Sequence, residues 1–229
     1  MKSPSSSGIS SFGWLISAGL LTLAFIPIVA GAFRLATLAG GAAVTPENIR
    51  FVAAPIPVVL HIVSVTVYAI LGAFQFSPGI RRRWPGWHRA AGRILVIAGL
   101  VAALSGLWMA VFYAIVPADS PLLHAFRLFF GSAMAASIVL GFAAIQRRDI
   151  SQHQAWMRRA YAIGLGASTQ ALIQIPHVIM FGKPNPMTLA LLMGGAWVIN
   201  LAVAESLIRR HRSLRHLPST IPEPPAVPL

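Results

Sequence analysis

Six stretches of about 20 residues carry almost no charge, and that pattern leaves little choice of fold. They run from Phe12 to Phe33, Pro57 to Phe76, Ile94 to Val116, Leu122 to Ile145, Ala160 to Phe181 and Thr188 to Ile208. Each, as a helix rising 1.5 Å per residue, crosses a hydrocarbon layer about 30 Å thick. The breaks are equally plain. Pro117, Asp119 and Pro121 separate the third and fourth stretches, and Gly182, Pro184 and Pro186 the fifth and sixth.

Composition agrees. Of 229 residues, 56% are hydrophobic and 10% charged, which excludes disordered, fibrous and water-soluble classes. The expectation is an all-α polytopic bundle of six transmembrane helices in one domain over residues 12–208. Residues 1–11 are read as a disordered N-terminus, and 209–229 as a basic, then proline-rich, disordered tail. The first stretch is longer than a signal-peptide core, so it is read as an uncleaved helix although Ala30 and Ala32 mimic a cleavage site. Between the first two stretches, Thr45 as N-cap, Pro46 and Glu47 suggest a short interfacial helix. The absence of cysteine excludes disulfides, thiolate metal sites and cysteine catalysis.

The 18 basic residues against 5 acidic ones sit almost wholly between the stretches. Lys2, Arg81, Arg82, Arg83, Arg89, Arg93, Arg147, Arg148, Arg158, Arg159, Arg209, Arg210, Arg212 and Arg215 fall on one side. Arg34, Arg50 and Lys183 fall on the other, and Arg127 lies inside the fourth stretch. Fourteen against three places both termini in the cytoplasm, in a bacterial inner membrane. The basic excess is then a topology signal with anionic headgroups as partner, and needs no nucleic acid.

Polar residues in hydrocarbon are costly and belong inside a bundle. His61, Ser64, Tyr68, Gly72 and Gln75 share one face of the second stretch and are read as a cavity-lining stripe. Gly92, Gly99 and Gly106, spaced by seven, read as close helix packing. Gln170, Gln174 and His177 share a face of the fifth stretch, while Asn200 and Glu205 are the polar residues of the sixth. Asn200 or backbone carbonyls could partner Arg127.

Five of the seven histidines lie near stretch ends. His61, His124 and His177 are on the outer side, His88 and His153 on the inner. Histidines from facing helices can ligate one haem iron; an outer metal site of His61, His124 and His177, or plain interfacial anchoring with the nearby tryptophans, are the other readings. Outer and inner sites would lie roughly 30 Å apart, so one haem b or none is easier to accommodate than two. In the haem reading His61 faces His124, and Arg127, one turn deeper, meets a propionate. On the inner side, His88, Arg89, Arg93, His153, Trp156 and Arg159, with Arg81 and Arg83, are expected to form one cytoplasmic cluster. No P-loop, nucleophile elbow, HExxH or dinucleotide fingerprint is present, so hydrolase, kinase and dehydrogenase activities have no motif, and membrane redox activity stays open. Of two functional readings, one is a b-type haem protein for electron transfer. The other is a non-catalytic scaffold, sensor or small-solute carrier with a lipid-phosphate-binding cytoplasmic face. A homo-oligomer or a redox partner also stays open.

A set of motifs carries a resemblance. His61, Gln75-Phe76-x-Pro78, Arg81-x-Arg83-x-Pro85, His88-Arg89-x-x-Gly92-Arg93 and His153-x-x-Trp156-Met157-x-Arg159 together resemble a bacterial family of predicted integral membrane proteins, domain of unknown function twenty-three-oh-six. The resemblance covers residues 47–175 and implies a fold and a location but no activity. Gln154 stands here where that family has arginine after the histidine. A looser similarity is to six-span dihaem b-type cytochromes that oxidise ascorbate. It implies pairing of His61 with His124 and of His88 with His153.

Overall fold

The computed structural model describes residues 7–41, 43–46, 48–116 and 120–215, and among these it is built of helices. In chain order they are α1 (Ser7–Ala39), α2 (Ile49–Ala53), α3 (Pro55–Gln75), α4 (Pro78–Arg83), α5 (Pro85–Phe112), α6 (Pro121–Gln146), α7 (Ile150–Gly164), α8 (Gly166–Phe181) and α9 (Pro186–Arg215). Proline opens five of them, where its missing N–H costs nothing and its fixed φ suits the first turn.

Five helices, α1, α3, α5, α6 and α9, are long and apolar enough to span a membrane. The fifth expected crossing differs. It is not one helix from Ala160 but two, α7 and α8, meeting at Leu165. Gly164 and Gly166 flank the break, and glycine is the weakest ordinary helix former. α7 also starts ten residues earlier than expected, because Asp149 caps it: its carboxylate accepts from the Gln152 N–H at 2.9 Å. At 15 and 16 residues each half is about 22–24 Å long, and only in series do they match a bilayer.

Other boundaries shift as well. α1 begins at Ser7, inside the expected disordered start, and continues past Phe33 to Ala39. α9 continues to Arg215, so the basic segment after Ile208 extends a helix; cations at its C-terminal end suit the helix dipole. In the outer loop the short helix exists, but Asn48 rather than Thr45 precedes it, and the Asn48 side chain instead bonds Thr45 N and Ala43 O. Glu47 and Asp119 lie outside the described residues, as do 1–6 and 216–229.

The long helices close into a ring. α3 packs on α1 and α5, α5 on α6, α6 on α9, α9 on α8, and α8 back on α1. α7 lies against α6, α9 and α3, so the broken helix changes neighbours at its break. The core is made of small residues around a few large ones: Ala98, Ala102, Ala103 and Ala160 with Tyr68, Leu95, Phe130, Ile138 and Tyr161. Large apolar side chains such as Phe25, Phe33, Ile97, Phe129, Ile179 and Val203 point outward. Small inside and large outside is the pattern of helices that pack in lipid rather than water.

Candidate functional site

The polar face of α3 is where that helix meets α5 and α7. Tyr68, 2% exposed, lies against Gly99 of α5 and Gly164 of α7, whose missing side chains leave room for its ring. Tyr161 occupies the space above Gly72, and its hydroxyl donates to the Ala69 carbonyl at 2.8 Å. The two tyrosine rings are 5.7 Å apart, and Phe76 lies 4.9 Å from Tyr161. His61 faces Gly106: its Nδ1–H donates to the Ala102 carbonyl at 2.9 Å, with Ser105 Oγ at 3.2 Å. Ser64 returns its hydroxyl to its own helix at Leu60. At the C-terminal end of α3, Gln75 Nε2 is buried with no hydrogen-bond partner among the described residues, as is His88 Nδ1 at the start of α5.

The break between α7 and α8 is spanned by α9. Asn200 donates from Nδ2 to the Ala162 carbonyl at 3.0 Å, and its Oδ1 accepts from Thr169 at 2.7 Å. One amide thus bonds a residue on each side of the break. Asn200 is one of the partners the sequence offers for Arg127, beside backbone carbonyls, and these are the two bonds it makes here. Trp197 lies where a side chain at Gly166 would be and stacks on Phe130 at 4.9 Å. Gln170 donates to the Met193 carbonyl at 3.3 Å. Nearer the inner end, Arg159 makes a two-pronged contact with Glu205, at 2.5 and 3.1 Å, and its guanidinium lies 4.6 Å from the Trp156 ring centre.

The expected cytoplasmic cluster divides into two parts. Arg81, Arg83, Arg89 and Arg93 are exposed on α4 and the first turns of α5. Arg159 and Trp156 belong to the α7–α9 contact. The histidines connect the parts: His88 lies within electrostatic reach of Arg81, Arg89 and His153. His153 donates from Nδ1 to the Gly141 carbonyl of α6 at 2.9 Å. Just past the C-terminal end of α5, Tyr113 donates to the Ala54 carbonyl at 2.6 Å, and burial pushes its phenol pKa up. Arg34 and Arg50 lie 5.0 and 4.9 Å from the Phe51 ring centre.

The donor sets can be tested against haem. α5 and α6 run antiparallel, with Gly99 opposite Ile138 and Leu107 opposite Gly131. His61 contacts α5 at Ala102 and Gly106, which is level with α6 beyond Gly131. At the backbone, His124 is therefore about 10 Å further along the bundle than His61, toward the N-terminal end of α6. His61 Nδ1 is bound to the Ala102 carbonyl, which leaves Nε2 as the nitrogen His61 could offer an iron. At the inner pair, Met157 and Trp156 close the α6–α7 gap over Gly141. His177 stacks near Phe181 at 5.2 Å, and among the described residues no three histidines or carboxylates gather as metal ligands.

A closed ring of apolar helices with outward-facing large side chains defines a multi-pass membrane protein. A family model described as a predicted membrane protein, DUF2306, matches residues 58–208, and the chain belongs to that family. The match starts at α3 and runs through α9, so it reaches further toward the C-terminus than residues 47–175 and leaves α1 outside. No curated protein and no solved structure matches the chain, and nothing beyond the sequence pattern joins it to the cytochromes.

Sequence reasoning missed the α9 contacts. Arg159 and Glu205 were both noticed, but helix pairing is not written in one sequence. The Asp149–Gln152 cap carried a readable signal, an acceptor followed three residues later by glutamine.

Proposed function

We propose that the chain is a non-catalytic binding protein of the bacterial inner membrane, crossing it six times with both termini in the cytoplasm. Its inner face holds anionic lipid headgroups. The observation that carries this reading is the rim where α3, α4 and α5 meet. There Arg81, Arg82, Arg83, Arg89 and Arg93 are exposed beside Trp84 and Trp87. Among the described residues no carboxylate pairs with any of the five. Exposed cations at a membrane surface are each worth about 1 kcal/mol toward anionic lipid, and tryptophans anchor at that depth. The α7–α8 pair supplies the crossing that neither half can make alone.

The test is thermal unfolding in nanodiscs. Anionic phosphatidylglycerol should raise the melting temperature over phosphatidylcholine, and added salt should erode the difference. Equal melting temperatures would remove the reading. Reporter fusions after Gly40 and Lys183 should read outside, and after Arg82 and Asp149 inside; one inverted hairpin would break the orientation. A protein without haem belongs to the same reading. A b-type reduced-minus-oxidised spectrum lost in both His61→Ala and His124→Ala would restore the electron-transfer alternative.

A further inference from the structure

On the inner rim, α1, α3, α4 and α5 enclose a cleft of about 650 Å³. Its walls are Trp14, Phe74, Ile80, Trp84 and Trp87, and its one charged lining residue is Arg83. The aromatic wall is continuous: Trp14 and Trp87 each meet Phe74 edge-on at 6.2 Å. The exposed Arg83 guanidinium lies 5.8 Å from the Trp84 ring centre, which places the charge at the edge of the cleft. Arg81 and Arg82 extend the positive edge along the same short helix. The volume is within the range of small-molecule sites.

We infer that this cleft is a discrete site for one anionic phospholipid, with the phosphate on Arg83 and an acyl chain along Trp14, Phe74 and Trp87. The proposal rests on the membrane orientation and headgroup binding given above, and adds a place and a stoichiometry. Charge complementarity selects the occupant, because the apolar wall ends in a cluster of cations that no described carboxylate neutralises. Physical chemistry also fixes the form of selectivity. An acyl chain leaving the bilayer for an apolar cleft exchanges one hydrocarbon environment for another and gains little. Discrimination therefore comes from headgroup charge, and chain length matters little.

The experiment uses the full chain in phosphatidylcholine vesicles containing brominated phosphatidylglycerol or, separately, brominated phosphatidylcholine. The readout is quenching of tryptophan fluorescence, since Trp14, Trp84 and Trp87 line the cleft. The anionic probe should quench more at equal mole fraction. Arg83→Gln should cut that preference about fivefold, the equivalent of one surface cation. Arg83→Lys should keep most of it, and Arg209→Gln, at the inner end of α9, should leave it unchanged. Wild-type quenching equal for both probes would overturn the headgroup reading itself. A preference lost equally in Arg83→Gln and Arg209→Gln would leave that reading standing and remove the discrete site. Abolition by millimolar inorganic phosphate would assign the cations to a free anion and overturn the lipid.

Discussion

The seam between α3 and α5 and the seam between α7–α8 and α9 are held by different means. The first is built by shape. Gly99 and Gly106 of α5 admit Tyr68 and His61 of α3, Gly72 on the same face of α3 admits Tyr161 of α7, and the surroundings are mostly alanine. The second is built by polar pairs: Arg159 with Glu205, Asn200 with Ala162 and Thr169, and Gln170 with Met193. The difference follows from the backbone. Unbroken helices satisfy their own amides and need only fit together. A helix broken at Leu165 interrupts its own ladder within the membrane, and a neighbour must supply the missing partner.

Breaking the shape-built seam should cost most. Gly72→Ala puts a methyl group into the Tyr161 ring, and refolding from denaturing detergent should show a loss of about 2–3 kcal/mol. Arg159→Ala should come next. It leaves Glu205, whose side chain is 35% exposed, without its two-pronged partner, for a loss of about 1–2 kcal/mol, between the exposed and buried limits. Removing both members in a double-mutant cycle should recover part of it. Asn200→Leu should cost about 1 kcal/mol, in the range of membrane interhelical bonds. Its hydrogen-exchange effect should be confined to residues near 162–169. A change spread evenly over α3 and α5 would show that the two seams are not separate. The smallest effect sharpens the contrast: nothing lies within 4 Å of a side chain added at Gly92, so Gly92→Ala should be neutral or stabilise by up to about 0.5–1 kcal/mol.

The same contrast explains what the sequence made legible. Spans come from length and hydropathy, which act locally, so five of the six expected stretches emerged as single helices long enough to cross. The fifth did not, because an average over Ala160 to Phe181 hides Gly164 and Gly166, which read equally well as packing residues. Glycines at 99 and 106 announced a close approach but not its partner. The stripe on α3 could be seen as one face, yet a helical face looks the same whether it borders a cavity or another helix's tyrosine. The arginines of the rim were legible because their meaning lies in charge and position along the chain. Glu205 was legible as an oddity only, since its partner lies 46 residues away.

The pairing of Arg159 with Glu205 also bears on how the protein reaches the membrane. α7 carries Gln152, His153, Gln154, Arg158 and Arg159 within its first ten residues. Polar and charged residues in an inserting helix are disfavoured, so this segment is a poor substrate for one-at-a-time release from the translocon. Its compensating carboxylate and the amide that spans its break both arrive on α9, which is synthesised after it. Lateral release of α7 and α8 is therefore tied to α9, and a nascent chain stopped before Glu205 should keep α7 at the aqueous interface.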